Sequence, residues 1–175
     1  MHIEILGARY NKYINIDNLC KNVSNVFGLE VKFKKIVLDF GLAFDPHRLQ
    51  YYSTKLLELI INSGNLNNDR KSIILTDLDL FVPILTYVFG EAELNGKAAI
   101  ASSHRLHNEY YGLPRNDELL QSRIEKEIIH ELGHTFGLIH CSDNFCVMHS
   151  SSYVEDIDLK YSDFCKECRK IYNSL

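Results

Sequence analysis

The chain has 175 residues, 46% hydrophobic and 24% charged, with 3 Pro and 9 Gly, the proportions of one ordinary globular domain. Disordered, collagen-like and coiled-coil readings are excluded. With 19 Lys and Arg against 23 Asp and Glu the formal charge is -4, which leaves no electrostatic footprint for a phosphate backbone or an anionic membrane. A chain of this length holds a core without disulfides, so its 5 Cys need another explanation. Residues 1–6 lack the basic region of a secretory signal, and no run approaches the roughly eighteen apolar residues of a membrane helix. A cytoplasmic location is expected. Thiols stay reduced there and read first as metal ligands or catalytic groups.

Residues 1–6 and 29–38 alternate apolar and polar side chains, which predicts strands. Between them Leu19, Val23, Val26 and Phe27 recur at helical spacing, with Asp17 as the expected N-cap and Gly28 closing the helix. Asp45-Pro46 is expected to open a longer helix, with Leu49, Tyr52, Leu56 and Ile60 on one face and Gly64 past its end. Three strands follow at 72–76, 87–89 and 98–101, with no room for helices between them. The most regular helix starts at 114–117, carries the stripe Leu120, Ile124, Ile128 and Leu132, and ends between Gly133 and Gly137. Periodicity then fades until Ser162 or Asp163 caps a short helix running toward Tyr172. No repeat or linker interrupts this single α+β domain, which is α/β-like in its N-terminal part.

Late in the regular helix stands His130-Glu131-Leu132-Gly133-His134. Residues four apart stack on one helical face about 5–6 Å apart, so two imidazoles can converge on one metal while Glu131, rotated aside, can reach a water. Gly137 can turn the chain in the left-handed conformation, and His140 follows as third ligand. Three His leave the fourth zinc position open, and Glu131 is then the general base of a hydrolytic site. The bland alternative is an amphipathic helix with histidines on a solvated flank; it gives no reason for Gly137 and His140 to follow in register. Cys141 and Cys146 come from a loop and Cys165 and Cys168 from the start of the last helix, the spacing of a closed, structural four-thiolate zinc site. Two disulfides or unpaired core cysteines are the alternatives. Adjacent side chains in an extended loop point apart, so His140 and Cys141 should serve two separate metals, the second fixing where His140 points. Cys20 reads as a core residue of the first helix.

Together His130-Glu131-x-x-His134-x-x-Gly137-x-x-His140-Cys141, Cys146-x-Met148 and Cys165-x-x-Cys168 closely resemble the archaemetzincin family of zinc metallopeptidases. Arg48-x-Gln50-Tyr51, Thr76-Asp77-x-Asp79-Leu80, Val88-Phe89-Gly90 and Ser102-x-x-Arg105-Leu106 are similar to that family less specifically. The spacing from Met148 to Cys165 is one residue shorter than the family pattern. The resemblance implies a metzincin-type fold: a twisted mixed sheet with an antiparallel edge strand above the cleft, for which 87–90 is the candidate, and the active-site helix as its floor. It implies that Met148 forms a Met-turn under the histidines, that Ser150 stands where some metzincins carry a tyrosine ligand, and that the chain divides into subdomains 1–137 and 138–175. It implies two zinc ions, one catalytic and one structural, and a monomer acting on a peptide or protein substrate, with no nucleic-acid or membrane partner.

Two rival functions use the same residues. One is a catalytically silent, zinc-stabilised peptide-binding protein. The other is a nucleic-acid module on the four cysteines, with Lys160, Lys166, Arg169 and Lys170 as a basic patch. Asp77 and Asp79 read as turn formers or supports of the cleft, and Arg105 as a surface ion pair or a clamp for a substrate carboxylate. His104, His107 and His149 are spare imidazoles, His149 being a candidate alternative ligand, and residues 103–116 are a candidate lid.

Overall fold

A computed structural model describes residues 1–62 and 69–175. The main sheet is formed by β1 (His2–Gly7), β2 (Val31–Lys35), β5 (Arg70–Thr76), β7 (Gly90–Ala92) and β8 (Ala98–Ser102). Its order is β2-β1-β5-β8-β7; the first four strands are parallel and β7 is antiparallel to β8. A small second sheet pairs β3 (Phe44–Asp45) antiparallel with β4 (Gln50–Tyr52), and β4 parallel with β6 (Leu80–Phe81). The helices are α1 (Ile16–Phe27), α2 (Ser53–Asn62), α3 (Asp117–Thr135), α4 (Val154–Leu159) and α5 (Lys166–Asn173).

Alternation along the central strands assigns the layers. Ile73, Leu75, Ala99 and Ala101 face the cluster built with α1 and α3, whereas Ile74, Ala98 and Ile100 face Leu56, Leu57 and Ile60 of α2. Both faces are covered, so β5 and β8 read as continuous apolar runs. The fold is mixed α/β with mixed strand orientation. The stripe Leu120, Ile124, Ile128 and Leu132 is buried as expected and fastens α3 to the sheet.

Several boundaries differ from expectation. Asn15, not Asp17, caps α1, accepting the Asn18 amide; Asp17 lies inside the first turn. Asp45-Pro46 makes a turn rather than a helix: the Asp45 carboxylate accepts the amides of His47 and Arg48, and Leu49 takes a φ of 56°. That left-handed residue prevents helix from reaching back through Tyr52, which joins β4, and α2 starts at Ser53. Gly64, the expected stop, lies outside the described residues. Val88 only bridges to Leu80, and the antiparallel edge strand is displaced to Gly90–Ala92. Asp156 organises α4, which the sequence did not reveal, by accepting the amides of Ser152 and Tyr153. Cys165, not Ser162 or Asp163, caps α5. Among the described residues no helix is long and apolar enough to cross a membrane.

Candidate active site

α3 carries His130 and His134 on one face, and the chain returns through Gly137, at φ 93°, to bring His140 against them. Ring centroids stand 4.6 Å apart for His130 and His134, 5.3 Å for His130 and His140, and 4.9 Å for His134 and His140. The Nδ1 atoms of His130 and His134 bond to the carbonyls of Val147 at 2.8 Å and Leu138 at 2.7 Å. A carbonyl can only accept, so both Nδ1 atoms are protonated, and the two Nε2 atoms are lone pairs facing each other at 3.1 Å. Two acceptors at that distance call for a cation between them. Burial above all holds all three imidazoles below the usual histidine range, keeping them neutral and ready to ligate. The donor set and its spacing fit zinc.

Glu131 lies at the same level of the helix, buried, under the edge strand. Gly90 makes its position possible: a Cβ there would stand 2.6 Å from Glu131 Cγ and 2.7 Å from its Oε1. Burial first, and Glu127 next to it, push the Glu131 carboxyl well above the usual carboxylate range. Glu127, one turn earlier, is raised to about 7 by its own burial. Met148 is fully buried behind α3, its sulfur packed where any side chain at Gly133 would go.

The four cysteines also converge, all sulfurs lying within 4.8 Å of one another, apart from the histidine cluster. Cys141 Sγ and Cys165 Sγ are 3.8 Å apart. A disulfide needs about 2.05 Å, whereas 3.8 Å is about the edge of a tetrahedron around zinc with bonds of about 2.3 Å. Burial raises the Cys146 thiol to about 11 and Cys168 further. Such thiols ionise only against a cation, so this set too fits zinc. Residues 141 and 148 are laced together: the Cys141 amide donates to Met148 at 2.9 Å and His149 Nδ1 bonds to the Cys141 carbonyl at 2.8 Å. His149 therefore stands outside the histidine cluster. Cys20, expected as a buried core residue, is only half-buried and packs against the margin of the core.

Cavities of about 590 and 400 Å3 flank the histidines, and Gly90 at the edge of the sheet lines both. The rim above them is tied down. Arg48 donates to the carbonyls of Leu85 and Thr86 at 2.9 and 2.8 Å, and Gln50 donates to Thr86 at 3.1 Å and to Asp79. Asp79 takes both arms of Arg105 at 2.6 and 2.8 Å, and the guanidinium lies between the rings of Tyr87 and Tyr110. Arg105 is thus a half-buried support, not a surface pair or a free clamp. Asp77 joins Ser103 and His107, which anchors residues 103–116.

Lys160 is not part of a basic patch: it is buried against the first cavity, its Nζ donating to the His149 carbonyl. Arg169 and Lys170 of α5 are held by Asp163, which precedes the helix, and by Glu167 in its first turn. Glu127 and Ser151, which line the same cavity, were missed in the sequence; the i, i+3 spacing of Glu127 to His130 was the available signal.

The description "Peptidase family M54" matches residues 13–173. The archaemetzincin of Thermococcus kodakarensis is 40% identical over 137 residues, 78% of this chain and 74% of that protein. A crystal structure described as a zinc-dependent peptidase from Methanocorpusculum labreanum superposes with a TM-score of 0.85 at 28% identity, covering 98% of this chain and 100% of that one. The archaemetzincin of Methanopyrus kandleri gives 0.83 at 34% identity, covering 99% and 94%. Both clusters lie within the matched span, and the chain belongs to peptidase family M54, the archaemetzincin family of zinc metallopeptidases.

Proposed function

We propose that the chain hydrolyses peptide bonds at the three-histidine cluster, with His130, His134 and His140 holding zinc and Glu131 as general base. The facing, proton-free Nε2 atoms of His130 and His134 are the observation that carries the assignment. Zinc bound there supplies Lewis acidity to water and to the scissile carbonyl. Glu131, immobilised under Gly90, takes the proton of the attacking water and returns it to the leaving amine. The outer edge of β7 offers backbone groups to an extended peptide, which the two cavities would receive on either side of the histidines.

The same reading assigns Cys141, Cys146, Cys165 and Cys168 to a second, structural zinc, two ions per chain, and makes Met148 a Met-turn packed behind the histidines. It divides the chain into subdomains 1–137 and 138–175, acting as a monomer on peptide or protein substrate. Free thiols fit a reducing compartment, so the cytoplasm belongs to the proposal. Glu131→Gln tests it: zinc content should be unchanged while turnover of a diverse peptide pool falls by about a hundredfold or more. Undiminished turnover would remove Glu131 from the mechanism. A silent binding protein, the rival reading, predicts two zinc ions and no cleavage by the unaltered chain.

A further inference from the structure

We infer that the cavity of about 590 Å3 beside the histidines is a specificity pocket for a basic side chain, arginine or lysine, flanking the scissile bond, with Glu127 as the carboxylate that receives it. The inference rests on the peptidase reading and names its substrate class. Glu127 stands one turn before His130 and Glu131, at i, i+3 and i, i+4, so its carboxyl lines the wall next to the site of cleavage. It is 5% exposed. Among the described residues it has no ion pair and no N–H donor, and the only side chain bonded to it is another acid, Glu131.

Two carboxyls can bond only through a shared proton, so the buried Glu127–Glu131 pair carries at most one negative charge, and no cation is bonded to it among the described residues. Lys160, the cation lining the same cavity, does not fill that role. Its Nζ is turned to backbone, donating to His149 and lying 3.5 Å from the Val147 carbonyl, and it acts on Glu127 only over a longer distance. The Ser151 hydroxyl, which lines the same cavity, is also buried without a hydrogen-bond partner among the described residues. Leu85, Tyr87 and Phe89 supply apolar surface for an aliphatic stem. An arginine or lysine entering the pocket lays its methylenes along that surface and delivers N–H groups to Glu127 and Ser151. An acidic side chain meets Glu127 and finds Lys160 already engaged.

The test uses the zinc-loaded full chain and a peptide pool, with cleavage sites mapped by mass spectrometry. Arginine and lysine should be enriched at one position flanking the scissile bond. Glu127→Gln should lower kcat/KM for those peptides by about tenfold to a hundredfold, chiefly through KM, and Glu127→Asp should recover part of the loss. Binding is measured separately by calorimetry on the Glu131→Gln protein, using capped alanine hexapeptides that carry arginine, citrulline, glutamate or leucine at a central position. Arginine should bind about tenfold more tightly than its neutral isostere citrulline. This comparison needs no change at Glu127, so it decides even where that variant fails to fold. Equal affinity for arginine and citrulline, or enrichment of acidic or apolar residues at the cleavage site, overturns the pocket. Tight arginine binding without any cleavage upholds the pocket and counts against the peptidase reading instead.

Discussion

Glu131 occupies the space that any side chain at Gly90 would need, 2.6 Å from the position of its Cβ. Glu131, the proposed general base, and the edge strand β7 are therefore fitted to each other, and the fit includes the Ile100 carbonyl, 2.7 Å from the same point. Gly90→Ala must displace one of the three. Since α3 is fixed by its buried stripe, the displaced group is the Glu131 side chain. We expect kcat to fall by about tenfold to a hundredfold with zinc content and melting temperature nearly unchanged. A variant with wild-type kcat would show that the carboxylate tolerates another position.

The sulfur cluster gives a metal-based prediction. If the proposed second zinc is held there, Cys165→Ser should lower zinc by one per chain and destabilise residues 138–175 first, because it removes one of the four converging sulfurs. Hydrogen exchange with and without a chelator reads this directly. Amides of α4 and α5 should lose protection while those of β1, β5 and β8 keep theirs. Uniform loss across the chain would mean that the sulfur cluster supports the whole fold.

Arg105 and Asp79 form a bidentate pair in which each side chain is 15% exposed. Arg105→Ala leaves Asp79 with Gln50 alone and should cost about 2–3 kcal/mol in urea unfolding. A double-mutant cycle with Asp79→Asn should return a coupling of about 1 kcal/mol or more. Additive losses would reduce the pair to two independent contacts.

His107 and Asp77 make stability depend on pH. The hydrogen bond to Asp77 chiefly raises the His107 imidazole above its ordinary value. Burial raises Asp77, but hydrogen bonds from His107 and Ser103 outweigh it and leave the carboxyl lowered. The His107 contribution is complete below about pH 6.5 and fades as pH rises through its raised value. The Asp77 contribution is complete above about pH 3.9 and fades as pH falls through its lowered value. The pair is thus strongest between about pH 4 and 6.5, and His107→Gln should flatten the stability curve above pH 6.5. Identical slopes in the two proteins would exclude the pair as their source.

The two proposed donor clusters, α3 and the strands at 70–76 and 98–102 were legible because each is defined by local spacing: histidines four positions apart, an i, i+4 stripe, runs buried on both faces. Elements whose form depends on distant partners were not. Asp45-Pro46 suits a helix start and a turn equally, and only the left-handed Leu49 decides for the turn. Lys160 sits in a basic stretch of sequence, yet its ammonium is buried on the carbonyl of His149, eleven residues away. Arg105 found Asp79, twenty-six residues distant, where sequence suggested solvent. Glu127 was not singled out, because the cavity it lines is completed by residues 85–90 and 150–153, distant in sequence.

The order of these parts along the chain bears on how the protein is made. Among the described residues every strand lies between His2 and Ser102, and every proposed metal donor lies between His130 and Cys168. During synthesis the strands emerge from the ribosome before the first donor exists, so ion capture does not nucleate the sheet. Zinc capture at the proposed donors would then follow synthesis of the strands, and a chain short of zinc would lose order first in its carboxyl-terminal third.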